Sequence, residues 1–154
     1  MLVTAPWRAT ERAVARFVEQ SAAWIEVARQ KAAATAPVHQ FPRMTAQIRE
    51  QARRATRALV DARLSHFNQT YQLTWKRVFI RNQRRSWGSC SKAGNLNFNL
   101  RLSLLAPELA DYVIVHELCH REHFNHSAAF WSHVSQTIPD YKERRRVLKR
   151  YRLV

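Results

Sequence analysis

Two histidines four residues apart, with a glutamate directly after the first, form His116-Glu117-Leu118-Cys119-His120. On a helix, residues four apart share one face, so both imidazoles can reach a single Zn²⁺. Glu117 then stands beside the first ligand, placed to act as general base on a zinc-bound water whose pKa the metal lowers toward neutrality. The H-E-x-x-H pattern sits in the apolar run Tyr112-Val113-Ile114-Val115 rather than in a basic tail. Two histidines on a largely buried face would otherwise each need a separate hydrogen-bond partner. The chemistry expected is hydrolysis, with one Zn²⁺ per chain and Glu117 as the catalytic residue.

A catalytic zinc takes three protein ligands and leaves a position open. His126 follows His120 by six residues, and the spacing H-E-x-x-H-x-x-x-x-x-H supplies a third imidazole if the chain turns back. That turn usually relies on a glycine, but His123 occupies the position here. Asn125, which tolerates the left-handed conformation, is the residue expected to make it. The metal ligands are therefore read as His116, His120 and His126. His123 is the rival for the third place and a guess for the oxyanion partner. Three imidazoles in a row along one helix cannot easily surround one ion, which favours His126. His133 and Glu143 are more distant candidates. Cys119 points off the metal face and reads as a small core residue, and Cys90 as a packed strand cysteine.

The elements that must position these groups are legible from periodicity. A helical stripe of Val14, Phe17, Val18, Ser21, Ile25 and Ala28 runs from Thr10, a plausible N-cap, to about Lys31. The segment Ala36 to Pro42 reads as a linker. A second helix is expected from about Thr45 to Phe67, with Ile48, Ala52, Ala55, Leu59 and Leu64 inward and Arg49, Arg53, Arg54, Arg57 and Arg63 on a solvated face. Leu73 to Arg81, Ser86 to Ser91 and Leu96 to Leu102 read as strands, with a turn at Lys92-Ala93-Gly94-Asn95 where Gly94 takes positive φ. Asn97, Asn99 and Arg101 alternate on one face and are candidates to meet a substrate. Pro107 opens the helix bearing the motif, which is expected to end near Phe124-Asn125. Another helix follows from about Ser127 to Thr137, and Pro139 opens a last one, basic from Arg144 to Arg152. The fold class expected is α+β: a small, mainly antiparallel sheet of about three strands packed with the active-site helix, N-terminal helices and C-terminal helices. Residues 1–154 are read as one domain, helical over 1–70, with the sheet and metal-binding part over 71–154.

Composition narrows the functions. The 26 Lys and Arg outnumber the 11 Asp and Glu, a formal charge of +15 that attracts nucleic acid, nucleotides or acidic partners. With glycine only at positions 88 and 94, neither a P-loop nor a dinucleotide fingerprint can form. Two cysteines make no disulfide framework, no apolar run would span a bilayer, and the N-terminus is neither a signal peptide nor acid-poor enough for a transit peptide. A cytoplasmic location is expected.

Trp87-Gly88-Ser89-Cys90-Ser91, then Asn95-Leu96-Asn97-Phe98-Asn99 and Arg101-Leu102, resemble the W-G-S-C…L-N-F-N…R-L signature of the YgjP-like metallopeptidases. Asp111 to His120, followed by Asn125-His126-Ser127 and Phe130-Trp131, resemble that family's zinc helix and its N-H-S-x-x-F-W segment. The resemblance runs from about Arg84 to Tyr151. It implies a zincin fold similar to the SprT-like and WLM groups, which include proteases acting on proteins crosslinked to DNA. It implies zinc ligands at His116, His120 and His126 and a general base at Glu117. Family members usually carry more strand sequence ahead of the first helix, so the chain is expected to be a shortened or truncated version. The leading expectation is a zinc metallopeptidase acting on a peptide or protein. The alternatives are a metal-dependent nucleoside triphosphate pyrophosphohydrolase, with Arg81, Arg84, Arg85 and Arg121 as phosphate clamps, and a nucleic-acid-binding module with structural zinc. A basic terminal helix with Arg144, Arg145, Arg146, Lys149 and Arg150 could recruit nucleic acid.

Overall fold

The computed structural model describes residues 5–34, 39–41 and 43–153. They belong to two compact units, Met1–Ala36 and Pro37–Val154. In the first, Thr10 caps helix α1 (Glu11–Gln20), its hydroxyl accepting the Ala13 N–H. The helix expected to run unbroken to about Lys31 is interrupted at Ser21, and α2 (Ala22–Ala34) follows. Val14, Val18 and Ile25 are half-buried, while Phe17 is exposed.

The second unit opens with a two-residue strand, β1 (His39–Gln40), inside the segment expected to be a linker; residues 36–38 and 42 of that segment lie outside the described residues. Helix α3 (Ala46–Tyr71) begins at Thr45, whose hydroxyl accepts the Ile48 N–H. Its buried stripe is Ala52, Thr56, Val60, Leu64, Phe67 and Tyr71, so the inward face is rotated from the one expected, and Ile48 and Ala55 are exposed. The arginine face is only partly solvated. Arg53 donates to the Ile80 carbonyl, Arg57 to the Val78 carbonyl, and Arg63 forms a bidentate pair with Asp111.

Three strands follow: β2 (Arg77–Arg81), β3 (Gly88–Cys90) and β4 (Asn95–Asn99), in the order β2-β4-β3. The sheet is mixed rather than mainly antiparallel. β3 and β4 form the expected hairpin, closed by Ser91 and by Gly94 at φ +86°, but β2 lies parallel to β4 with Val78 opposite Leu96 and Ile80 opposite Phe98. The parallel pairing arises because the loop after β2 carries the chain past the end of β4 before β3 begins. Asn99 holds that loop, donating to the Gln83 and Ser86 carbonyls, and Arg101 donates to the Asn82 side chain. Both residues are buried and β4 is the central strand, so Asn99 and Arg101 are structural and do not face a substrate.

After a 3₁₀ turn (Leu102–Leu104) comes α4 (Pro107–Cys119), with Pro107 in its first turn. It stops several residues short of the expected end. Then come α5 (Ala128–Ser135), capped by Ser127, and α6 (Tyr141–Leu148). The last expected helix ends early, because Tyr151–Arg152 forms β5, parallel to β1. The core gathers Val60, Leu64, Leu96, Phe98, Ile114, Leu118, Phe130 and Val134 between α3, the sheet and α4. The architecture is α+β, as expected. Among the described residues no helix is long and apolar enough to cross a membrane.

Candidate metal centre

Helix α4 is buried along most of its length, including Val113, Ile114, Val115, Leu118 and Cys119. That burial fixes the one face on which His116 and His120 lie a turn apart. Their Nε2 atoms stand 3.2 Å from each other, and His126 Nε2 is 3.1 Å from His116 Nε2. Two nitrogens held at zinc-ligand distance in a tetrahedron lie about 3.3 Å apart, so the three rings suit one such ion. Their geometry is set from outside. His120 Nδ1 lies 2.8 Å from the His123 carbonyl, and as its donor leaves the Nε2 lone pair facing the other two rings. The His120 ring stacks on Phe130 and the His126 ring on Trp131. Trp131 in turn stacks on Tyr141 and lies under the Arg145 guanidinium. Burial first, then the neighbouring His120 and His126 rings and Arg145, push His116 down to about 3, so its ring is neutral and able to donate a lone pair.

The return of His126 depends on a turn at Asn125, though not by the left-handed route expected. Among the described residues only Gln72 and Gly94 have positive φ. Instead the Asn125 side-chain oxygen accepts the Ser127 N–H, and Ser127 Oγ accepts the Phe130 N–H. An Asx turn running straight into an N-cap folds the chain back over α4.

Glu117 is buried, and burial raises its carboxyl to about 8. Its side chain lies across Gly88 on β3: a Cβ there would be 2.6 Å from Glu117 Cγ and 2.8 Å from Oε1. A recess of about 140 Å³ beside Glu117 and His116 is lined by Trp87, Gly88, Tyr112, Val113 and Leu148. Trp87 also borders a second recess, of about 440 Å³, with Arg84, Arg85, Tyr151 and Arg152.

His123, the rival third ligand, lies elsewhere. Its Nε2 is 3.9 Å from Glu122 Oε1 and its ring packs on His133; its link to the three converging imidazoles is the carbonyl bonded to His120. Glu143 pairs with Arg146, Cys119 is fully buried, and Arg121 donates to the Thr74 carbonyl while lying across Gly94 rather than joining a phosphate clamp. Sequence reasoning missed the supporting parts: the Gly88 contact, Tyr112, and the Phe130-Trp131 wedge. The close W-G-S-C and F-W groupings were the available signals for two of them.

No curated protein matches the sequence. Among solved structures the fold is similar to the metallopeptidase zymogen abylysin of Pyrococcus abyssi, with a TM-score of 0.52 and 24% identity over 62% of this chain and 99% of that one. The sequence pattern of the YgjP-like metallopeptidase domain matches residues 33–151, so the chain belongs to the YgjP-like metallopeptidase family.

Proposed function

We propose that the protein is a zinc-dependent peptidase in which His116, His120 and His126 hold the metal and Glu117 is the general base. The observation that carries this reading is the convergence of three imidazoles next to the buried Glu117 carboxyl. A zinc ion held there would supply Lewis acidity toward the scissile carbonyl and the attacking water. Glu117 takes the proton from the water and returns it to the leaving amine. The absence of a side chain at Gly88 leaves the space that the Glu117 side chain occupies. β3 is an edge strand, so an extended peptide can pair along it and pass Glu117. The recess bounded by Trp87, Tyr112, Val113 and Leu148 takes a small apolar side chain from that peptide.

The test is hydrolysis of unfolded protein by the zinc-loaded enzyme, with Glu117→Gln at equal zinc content beside it. Cleavage lost in the variant supports the reading; no cleavage by either overturns it. A second reading, hydrolysis of a phosphoanhydride, draws support from the Arg84, Arg85 and Arg152 recess flanked by Trp87 and Tyr151. Glu117-dependent release of pyrophosphate from a nucleoside triphosphate, without peptide cleavage, would select it. The same basic recess is where we place binding of nucleic acid or of acidic substrate segments, and a cytoplasmic site of action fits a chain without paired cysteines.

A further inference from the structure

Outside the converging imidazoles, Glu122, His123 and His133 bring a carboxylate oxygen and two imidazole nitrogens within 4.8 Å of one another. Glu122 and His123 lie on the turn that leaves α4, and His133 on α5, so the cluster bridges two elements. His133 Nδ1 is 3.4 Å from Glu122 Oε2 and is buried without a hydrogen bond of good geometry. The His133 ring is held edge-on to Tyr71 at 4.8 Å, which leaves it little freedom to turn away. The three side chains line a recess of about 260 Å³ whose other walls are Ala129, Ser132 and Gln136. In a chain of net charge +15, this recess contains a carboxylate and neither Lys nor Arg.

We infer that Glu122, His123 and His133 form a second divalent-metal site, with a two-imidazole, one-carboxylate donor set of the kind that holds zinc. Glu122 is more than half exposed, and its free rotamers let the carboxylate close the remaining gap around an ion. The recess has room for water to complete the coordination. The inference stands apart from what the first site hydrolyses. It nonetheless touches that site, because His123 offers its ring to the second ion and its carbonyl to His120 Nδ1. An ion bound at the second site fixes the turn between His120 and His126, and the two sites strengthen each other's hold on metal.

The test begins with the full chain stripped of metal and titrated with zinc, bound metal being measured after gel filtration. The wild type should retain about two ions per chain, and His116→Ala/His126→Ala and His123→Ala/His133→Ala about one each. Both substitutions in the second site spare the main-chain carbonyls that accept from His120 and Tyr71. Glu122→Gln, an exposed and near-isosteric change, should likewise leave about one, which separates metal loss from misfolding. In a competition with chelator, the first-site ion of His123→Ala/His133→Ala should be lost at roughly tenfold lower chelator than in the wild type. A wild type holding a single ion, with Glu122→Gln and His123→Ala/His133→Ala indistinguishable from it, overturns the inference. So does a His116→Ala/His126→Ala variant that folds and binds none.

Discussion

Glu117 and Gly88 occupy adjoining space so tightly that any side chain at position 88 would meet the glutamate: an added Cβ would lie 2.6 Å from Cγ and 2.8 Å from the carboxylate Oε1, shorter than real Cβ contacts allow. One residue is on α4 and the other on β3, an edge strand of the sheet. The pair therefore couples the orientation of the proposed general base to the strand along which a peptide is proposed to pair.

Gly88→Ala should accordingly leave zinc binding intact and depress turnover. The atoms nearest to a Cβ added at position 88 all belong to Glu117, so it is this side chain that must shift by several tenths of an ångström or more. A misplacement of about 1 Å at a reacting group can cost about a hundredfold in rate, so this smaller shift should cost roughly tenfold or more. Peptide hydrolysis assayed beside zinc content measures both, and unchanged turnover would show that Glu117 is not the base.

Ser127→Ala tests how the third imidazole is delivered. Ser127 caps α5, and its N–H is the one that Asn125 accepts, directly beside His126. Loss of the cap should cost about 1 kcal/mol in unfolding free energy. It should also weaken zinc binding about tenfold, the size expected when a group supporting a ligand is removed. A stability loss with zinc affinity unaltered would mean that the Asn125 turn and the packing on Trp131 and Phe130 hold His126 without the cap.

The Arg63–Asp111 pair spans α3 and α4 at 2.6 and 2.7 Å, with Asp111 mostly shielded from solvent. Asp111→Ala should destabilise by about 1–3 kcal/mol, because it removes two charge-assisted bonds and leaves a partly buried guanidinium with only the Phe67 ring beneath it. Denaturant unfolding of the zinc-free protein reads this directly, and a cost below about 0.5 kcal/mol would class the pair with ordinary surface ion pairs.

Much of the site could be read from residue spacing, since His116 and His120 need only a helix to face the same way and His126 needs only a return. What could not be read was the means of return. Asn125 suggested a left-handed residue, but its side chain can close the same turn by accepting the Ser127 N–H, and periodicity does not distinguish the two. The arginine face of α3 misled for a similar reason. Composition cannot tell a guanidinium in water from one donating to a strand carbonyl, as Arg53 and Arg57 do. Strand direction also lay beyond reach. The alternation of Asn97, Asn99 and Arg101 looked like a polar outer face, but Asn99 and Arg101 are buried because they anchor the loop that makes β2 parallel to β4. Polar residues that satisfy backbone groups and polar residues that meet water leave the same pattern in a sequence.

Thr56 is the sharpest instance, a fully buried hydroxyl in the middle of the apolar stripe of α3. It donates to the Leu100 carbonyl at 2.8 Å, accepts the Ser103 N–H at 3.2 Å, and lies 3.0 Å from Ser103 Oγ. It thus joins α3 to the 3₁₀ turn that leads into α4. Thr56→Val keeps the shape and removes the hydroxyl, leaving buried backbone groups without their partner at a cost of about 1–3 kcal/mol each. Thr56→Ser keeps the hydroxyl and removes a methyl, worth about 1 kcal/mol. The valine variant should therefore be the less stable of the two in urea unfolding, although it is the more hydrophobic. The reverse order would mean that packing at this position outweighs the hydrogen bonds, and that the entry to the metal helix is held by apolar contact rather than by Thr56.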